Sequence, residues 1–566
     1  MRLLPYGRTL LPCVFIAFLI GALLAPVRAA AQGGEPQYFA IRGARVVPVS
    51  GPVLDDATVV VAKGVITEIG KDVAIPQDAW VIDGKGLTVY PGLFDALTDL
   101  GIPPAPPAPS GEGGPRHMAP PAQGPEDRPA TTVWRNAADE VSLDDKRIES
   151  WRSAGFTTVV SAPKGGIFPG EGAVLDLAGE RAGDLVVKTP VAIPLGLTPL
   201  HGFGRGFPDS LMGVLAYVHQ VWIDTAWSEK ADAIYDKDPR GVARPPYDRT
   251  EAVLSEALED HAIVLIPGNT SLQLRRALDL APRWDVKAAI YGGQMAYEVA
   301  PEIAEKKMAV LVNLKWPEAE KDADPDDVPS LRTLEFRAHA PSAPEALEKA
   351  GVKFAFYSGG ITNPKEILKA AKKAVDAGLA PDAALRAMTL SPAEIFGVSD
   401  RLGSIEKGKI ANLIVTDGDL FNEKTKIKDV FVDGQRFVIR EQEGPHDPPK
   451  GDITGKWKLA YTTPDGPEEA AADLQMASDG TISGTVDSPH GKASVISGSL
   501  SAEKFKFTIN ILIEGEYEDV VFLGTLEGRA MKGTILAHGL TIDFTGTKPG
   551  MAAMAGNSTA QEGDAR

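Results

Sequence analysis

Apolar and polar positions change their rhythm three times along the chain. Over 38–79 short β-branched runs (41–49, 57–61 and 64–70) alternate with glycine turns, which predicts small antiparallel strands. From residue 89 onward strand-like runs follow at 155–161 and then, apolar throughout, at 262–266, 287–291, 308–312 and 352–356. Helical periods separate them, as at 271–280 and 296–306, and a further helix is expected over 133–154. Strands without a polar face suit a parallel sheet covered on both sides, and their alternation with helices is the rhythm of a β/α barrel. Over 402–415 and 429–434 the short antiparallel pattern returns. From 455 to 547 eight short runs follow, near 455–463, 471–477, 480–486, 493–499, 503–511, 518–524, 528–535 and 540–547. Even spacing and glycine turns predict a small up-and-down antiparallel barrel.

Composition changes this picture at four places. Residues 103–129 hold ten prolines and many glycines, fitting no helix or strand, so a flexible loop is expected, either disordered or a lid. A break at 441–451 reads as a linker, and the tail 549–566 as disordered. At the N-terminus Arg2 and Arg8 precede an apolar run over 10–25 and then Ala29-Ala30-Ala31. A basic segment, a short apolar stretch and small residues describe a secretory signal peptide over 1–31, so export to a periplasmic or extracellular location is expected. A retained anchor is the alternative. Cys13 is the sole cysteine and falls inside this segment, so the exported chain would use no disulfide and would rely on its core. The formal charge of −18 becomes −21 without Arg2, Arg8 and Arg28, since 1–31 hold no acid. Such a surface repels nucleic acid and anionic lipid, and no membrane span is expected after cleavage. Small molecules and proteins remain as partners.

One stretch organises the rest: Val89-Tyr90-Pro91-Gly92-Leu93-Phe94-Asp95-Ala96-Leu97-Thr98-Asp99-Leu100. It resembles the first barrel strand of the amidohydrolase superfamily, P-G-(L/I/F)-(I/F)-D-x-H-x-H, through Asp95. Gly165-Gly166-Ile167-Phe168-Pro169-Gly170-Glu171-Gly172-Ala173-Val174-Leu175 is similar to a loop of the imidazolonepropionase-like branch, and 367–398 to the family's closing helices. Residues 402–415 resemble the strands that return to the family's β-sandwich, with Asn412 where aspartate is usual, a change not expected to disturb the fold. The resemblance implies an α/β chain with a (β/α)8 TIM-like barrel over 93–398 and a composite β-sandwich from 36–92 and 399–440, to which the strand pattern adds the antiparallel β-barrel over 452–548. Gly455-Lys456-Trp457 matches the opening of lipocalin-type barrels on three residues. Filling by its own side chains is the plainer expectation for such a barrel.

By the same resemblance the activity would be hydrolysis of non-peptide C–N bonds in a small molecule. A divalent metal such as zinc would activate water, and an aspartate would shuttle the proton. The ligand positions read otherwise. Leu97 and Asp99 stand where the first-strand histidines should be, Pro267 at the fifth-strand histidine, Gly292-Gly293 at the sixth, and Gly359 at the eighth-strand aspartate. No metal is therefore expected. Asp95, Asp99 and Glu171 could rebuild a carboxylate site for a hard ion, or Asp95 or Asp99 could act as a general base without metal, against the plainer reading that Asp95 caps backbone amides and Asp99 is solvated. Ser358 invites a nucleophile reading, yet no histidine stands near it in the pattern. His201 could reach the cavity, although a lone loop histidine more often bonds its own loop. Glu171, His201, Asn269 and Tyr291 are expected to line a pocket. Two readings follow: a hydrolase with degenerate chemistry, or a non-catalytic subunit, alone as a homo-oligomer or assembled with an intact homologue.

Overall fold

The computed structural model describes residues 38–103, 128–199, 207–319 and 328–439, and 447–548 apart from 464–465, 478, 514–515 and 538–539. The expected signal peptide, most of the proline-rich loop, the start of the linker, the tail and His201 lie outside these residues. Residues 36–441 form one compact unit, and the C-terminal barrel belongs to a second.

In the first unit, β1 (Tyr38–Val46), β2 (Leu54–Ala62), β3 (Val65–Gly70), β4 (Trp80–Asp83) and β5 (Thr88–Pro91) begin an eight-stranded sheet. Eight further strands make the barrel: β6 (Leu93–Thr98), β7 (Phe156–Ser161), β8 (Gly172–Asp176), β9 (Val186–Pro194), β10 (Ile263–Gly268), β11 (Ala288–Gly292), β12 (Ala309–Asn313) and β13 (Phe354–Tyr357). The first sheet is completed by β14 (Leu413–Thr416), β15 (Ile427–Val432) and β16 (Gln435–Val438), and β14 pairs antiparallel with β5. The segments before and after the barrel thus share one eight-stranded sheet, joined strand to strand where β14 meets β5.

The barrel strands are apolar on both sides because both sides are covered. Phe94, Ala96, Val160, Val174, Ala192, Leu265, Ala289, Leu311 and Ala355 pack the inner layer. Leu93, Val159, Leu175, Ile193, Val264, Ile266, Ile290, Val310 and Val312 face the surrounding helices. Two expectations change. Residues 172–175, read as loop, belong to β8, which runs antiparallel to both β7 and β9. Flanking glycines and two prolines in β9 hide these strands, since both residues punctuate strand patterns. The single helix over 133–154 is two short ones, Ala137–Glu140 and Arg147–Ser153. Between them the Ser142 hydroxyl accepts from Asp144 N, and the Asp145 carboxylate accepts from Arg147 N, turns that compete with helical bonding. His339 ends the helix Leu331–His339, its ring 5.6 Å from that of Tyr297.

Barrel and sheet meet at a buried polar knot. Asp176 accepts from the Thr158 hydroxyl (2.7 Å) and from Asn412 Nδ2 (2.8 Å), while Asn412 Oδ1 accepts from Asp433 N. Burial, only partly offset by these bonds, pushes the Asp176 carboxyl up to about 7. A second carboxylate at 412 would face the first at this distance; the amide supplies a donor instead.

In the second unit eight strands close on themselves: β17 (Gly455–Thr463), β18 (Gly466–Met476), β19 (Ile482–Ser488), β20 (Gly491–Ser501), β21 (Lys504–Ile513), β22 (Glu516–Glu527), β23 (Ala530–Ala537) and β24 (Leu540–Thr547). Alternation decides what faces inward: Trp457 and Leu459 are buried, Lys456 and Lys458 exposed. Phe505, Phe507, Phe522 and Phe544 fill the interior, with the Phe507 and Phe522 rings stacked at 4.6 Å.

Candidate binding site at the barrel mouth

The C-terminal ends of the parallel strands, where a barrel of this kind places its chemistry, hold Asp95, Asn269, Tyr291, Asn313 and Ser358. Asp95 is 1% exposed and lies at the seam between β6 and β13. Its Oδ1 accepts from Ser358 N (2.9 Å) and its Oδ2 from the Trp151 indole N–H (3.3 Å). Burial pushes this carboxyl up, against the Ser358, Trp151 and Leu97 hydrogen bonds, which pull it down. The Ser358 hydroxyl bonds to the same carboxylate. The structure therefore brings Asp95 and Ser358 together as a clasp across the seam.

The other acids sit apart from that clasp. Asp99 is bound by Lys164 (3.0 Å) and Arg147 (3.0 Å). Burial alone would raise it, but those two cations hold it below the usual carboxylate range. Glu171 is buried and accepts from Asn136 Nδ2 at 2.8 Å, while Asn136 Oδ1 accepts from the Thr189 hydroxyl. Burial pushes Glu171 up to about 7, with Glu256, Asp260 and Asp139 adding to the rise. Among the described residues no three of His, Cys, Asp and Glu gather where an ion could be held.

At two of the positions where ligands were expected, a neighbouring side chain takes the space. Gly359 has φ +52°, and the space its Cβ would occupy is taken by the Asn313 side chain from the preceding strand. Asn313 Oδ1 is fixed there by Lys315 N (2.8 Å). Gly292 repeats the arrangement with φ +118° and the Asn269 side-chain oxygen in its Cβ space. Only glycine fits at either position without displacing an amide. Leu97 packs against the inner core, and Pro267 lies on the rim. Tyr291 donates to Leu195 O (2.8 Å), and burial pushes its hydroxyl up to about 12. Beside it, burial and the neighbouring Tyr291 also raise Tyr357, whose hydroxyl bonds Asn313. At neutral pH both phenols are uncharged hydrogen-bonding groups.

Among the described residues the three candidate carboxylates are each engaged by other groups. Asp95 bonds through both oxygens to N–H groups, Asp99 is neutralised by two cations, and Glu171 holds an amide. Hard cations need six or more oxygens, and zinc at least three protein ligands.

A crystal structure of an amidohydrolase from Thermotoga maritima MSB8 is similar over 71% of this chain and 100% of that one, with 23% identity and a TM-score of 0.57. This is the amidohydrolase fold. The amidohydrolase family profile also matches residues 299–437. A prolidase complexed with N-methylphosphonate-L-proline is similar at 18% identity and TM-score 0.43, over 71% of this chain and 100% of that one. An adenosine deaminase from Xanthomonas campestris with bound zinc follows at 16% and 0.40, over 71% and 92%. No curated protein sequence matches.

Beyond the strand ends, the amidohydrolase barrel carries a cleft that the motif positions do not announce. Leu197, Thr198, Pro199, Leu211, Pro267, Gln273 and Arg276 line a volume of about 290 Å³. Arg276 and Gln273 come from the helix Ser271–Trp284, which starts at a capping box of Thr270 and Gln273. Ligand-position logic looks along strands, so it passes over a helix residue. In sequence Arg276 differs from its neighbour Arg275 in nothing that marks a site.

Proposed function

We propose that this chain uses an amidohydrolase barrel to bind a small molecule and does not carry out metal-assisted hydrolysis. The observation that carries this reading is the Asn313 amide standing in the space of a side chain at 359. The residue that would bind metal and move the proton has no room there, and its replacement bonds Lys315 N. Neutral amides and phenols remain at the mouth, suited to orienting a ligand rather than generating hydroxide. The basic and apolar N-terminal segment supports export of the protein, and a lost catalytic role fits a subunit that assembles with itself or with an intact homologue.

Elemental analysis of purified protein, combined with a hydrolysis screen of cyclic amides and dipeptides with and without added zinc, tests this. The expected result is substoichiometric metal and no turnover above buffer. Stoichiometric metal with metal-dependent turnover would return the chain to the hydrolases. A second reading rests on Glu171, whose carboxyl lies near neutrality and could serve acid–base chemistry without metal. Turnover that is insensitive to chelator and abolished by Glu171→Gln would favour it.

A further inference from the structure

Along the helix Ser271–Trp284 two adjacent arginines have different surroundings. Arg275 is paired with Glu302 at 2.8 Å. Arg276 is half-buried, lines the cleft beside Pro267, and has no acidic partner among the described residues. Desolvating a guanidinium without a counter-charge is unfavourable, so such a site favours an anion that completes it. The other polar lining groups can donate. Thr198 offers a hydroxyl, and Gln273, whose Oε1 accepts from Asn269 N (2.9 Å) and Thr270 N (3.2 Å), keeps its Nε2 as a donor. Among the described residues no carboxylate lines the cleft, while Leu197, Pro199, Leu211 and Pro267 give it an apolar wall. A volume of about 290 Å³ lies at the small end of ligand pockets.

We propose that this cleft binds the carboxylate of a small aliphatic acid, with Arg276 as its charge partner and the prolines and leucines around its hydrocarbon part. A carboxylate matches the planar fork of one guanidinium, and the apolar wall suits a hydrocarbon better than the hydration shell of phosphate. The proposal rests on the binding reading above and names the ligand class for the same mouth.

Isothermal titration calorimetry on the full chain tests it with four probes and a control: 4-methylpentanoate and its amide, N-acetyl-L-leucine and its amide, and inorganic phosphate. Saturable binding of at least one acid is expected, with its amide weaker by roughly tenfold or more. Arg276→Gln should erase the preference for acid over amide. Gln273→Glu keeps the capping acceptor, so the helix start is preserved, yet places a negative charge in the cleft and should weaken the acids alone. Equal affinity for acid and amide, no binding of either acid, phosphate binding as tightly as the acids, or an unchanged preference in Arg276→Gln would each overturn the assignment. Metal content and turnover report on the broader reading independently, so the two can fail separately.

Discussion

In the antiparallel barrel Phe505, Phe507, Phe522 and Phe544 meet inside the strands, and Trp457 lies buried with them. In the amidohydrolase barrel the inner layer includes Ala96, Ala192, Ala289 and Ala355 beside Phe94 and Leu265. Both interiors are full, but they are finished differently at their ends. Most of the antiparallel strands turn back within two residues, as between Ser501 and Lys504 or between Glu527 and Ala530, which leaves little chain from which a site could be made. The parallel strands need helical crossovers, so each strand end carries a loop free to change. Sequence change at the barrel mouth can therefore remove chemistry without touching the core, whereas change within the aromatic barrel falls on packing.

The sharpest way to break that contrast is Phe507→Ala, which should destabilise the C-terminal barrel by about 3–5 kcal/mol. Urea unfolding of the full chain should show one transition moved and the transition of the amidohydrolase unit in place. Movement of both would mean that the two units do not unfold separately.

Next in size, Gly359→Asp should lower stability by about 2–4 kcal/mol, since it adds a side chain at φ +52° into space held by Asn313. In a double-mutant cycle Asn313→Ala should return about 1–3 kcal/mol of this. Additive losses would show that Asn313 is not what bars the site.

How much of this could be read from the sequence depended on dimension. Sequence runs placed β7 and β10 to β13 to within a residue or two, because a strand covered on both faces leaves a one-dimensional trace, whereas the stretch 89–100, read as one strand, divides into β5 and β6. Leu97, Pro267 and Gly359 stood out the same way, as wrong residues at known positions. The reason Gly359 and Gly292 must be glycine is a contact between neighbouring strands, with Asn313 and Asn269 distant in the chain. Asn412 looked like a neutral exchange until Asp176, 236 residues away, was found at its amide. Arg276 carried no signal, since a helix arginine ordinarily reads as a surface charge.

Glu171 supplies a smaller, pH-dependent effect. Its carboxyl keeps its proton in the folded chain up to about 7, while the unfolded chain releases it near the ordinary 4.5. In that interval the folded state holds more protons, so stability falls as pH rises, by up to ~3 kcal/mol. Below the interval both states are protonated and the effect is absent. Glu171→Gln should flatten this slope in thermal melts between pH 4.5 and 7. An unchanged slope would place the titration elsewhere.

The smallest change is expected at Asp99. Its pairs with Lys164 and Arg147 are partly exposed, so Asp99→Asn should alter stability by under about 1 kcal/mol and leave ligand affinity unaltered. A larger loss in calorimetry would make the mouth's acidic side part of the site.

The joining of β5 to β14 bears on how the protein is made. The Thr416 hydroxyl bonds to Thr88 O across 328 residues. While a ribosome is still producing the chain between them, β5 presents an open edge, a template for pairing with another nascent chain. The amino-terminal strands must wait for the whole barrel to be synthesised before their last neighbour arrives. A premature stop inside the barrel would leave a sticky half-sheet rather than a smaller soluble protein.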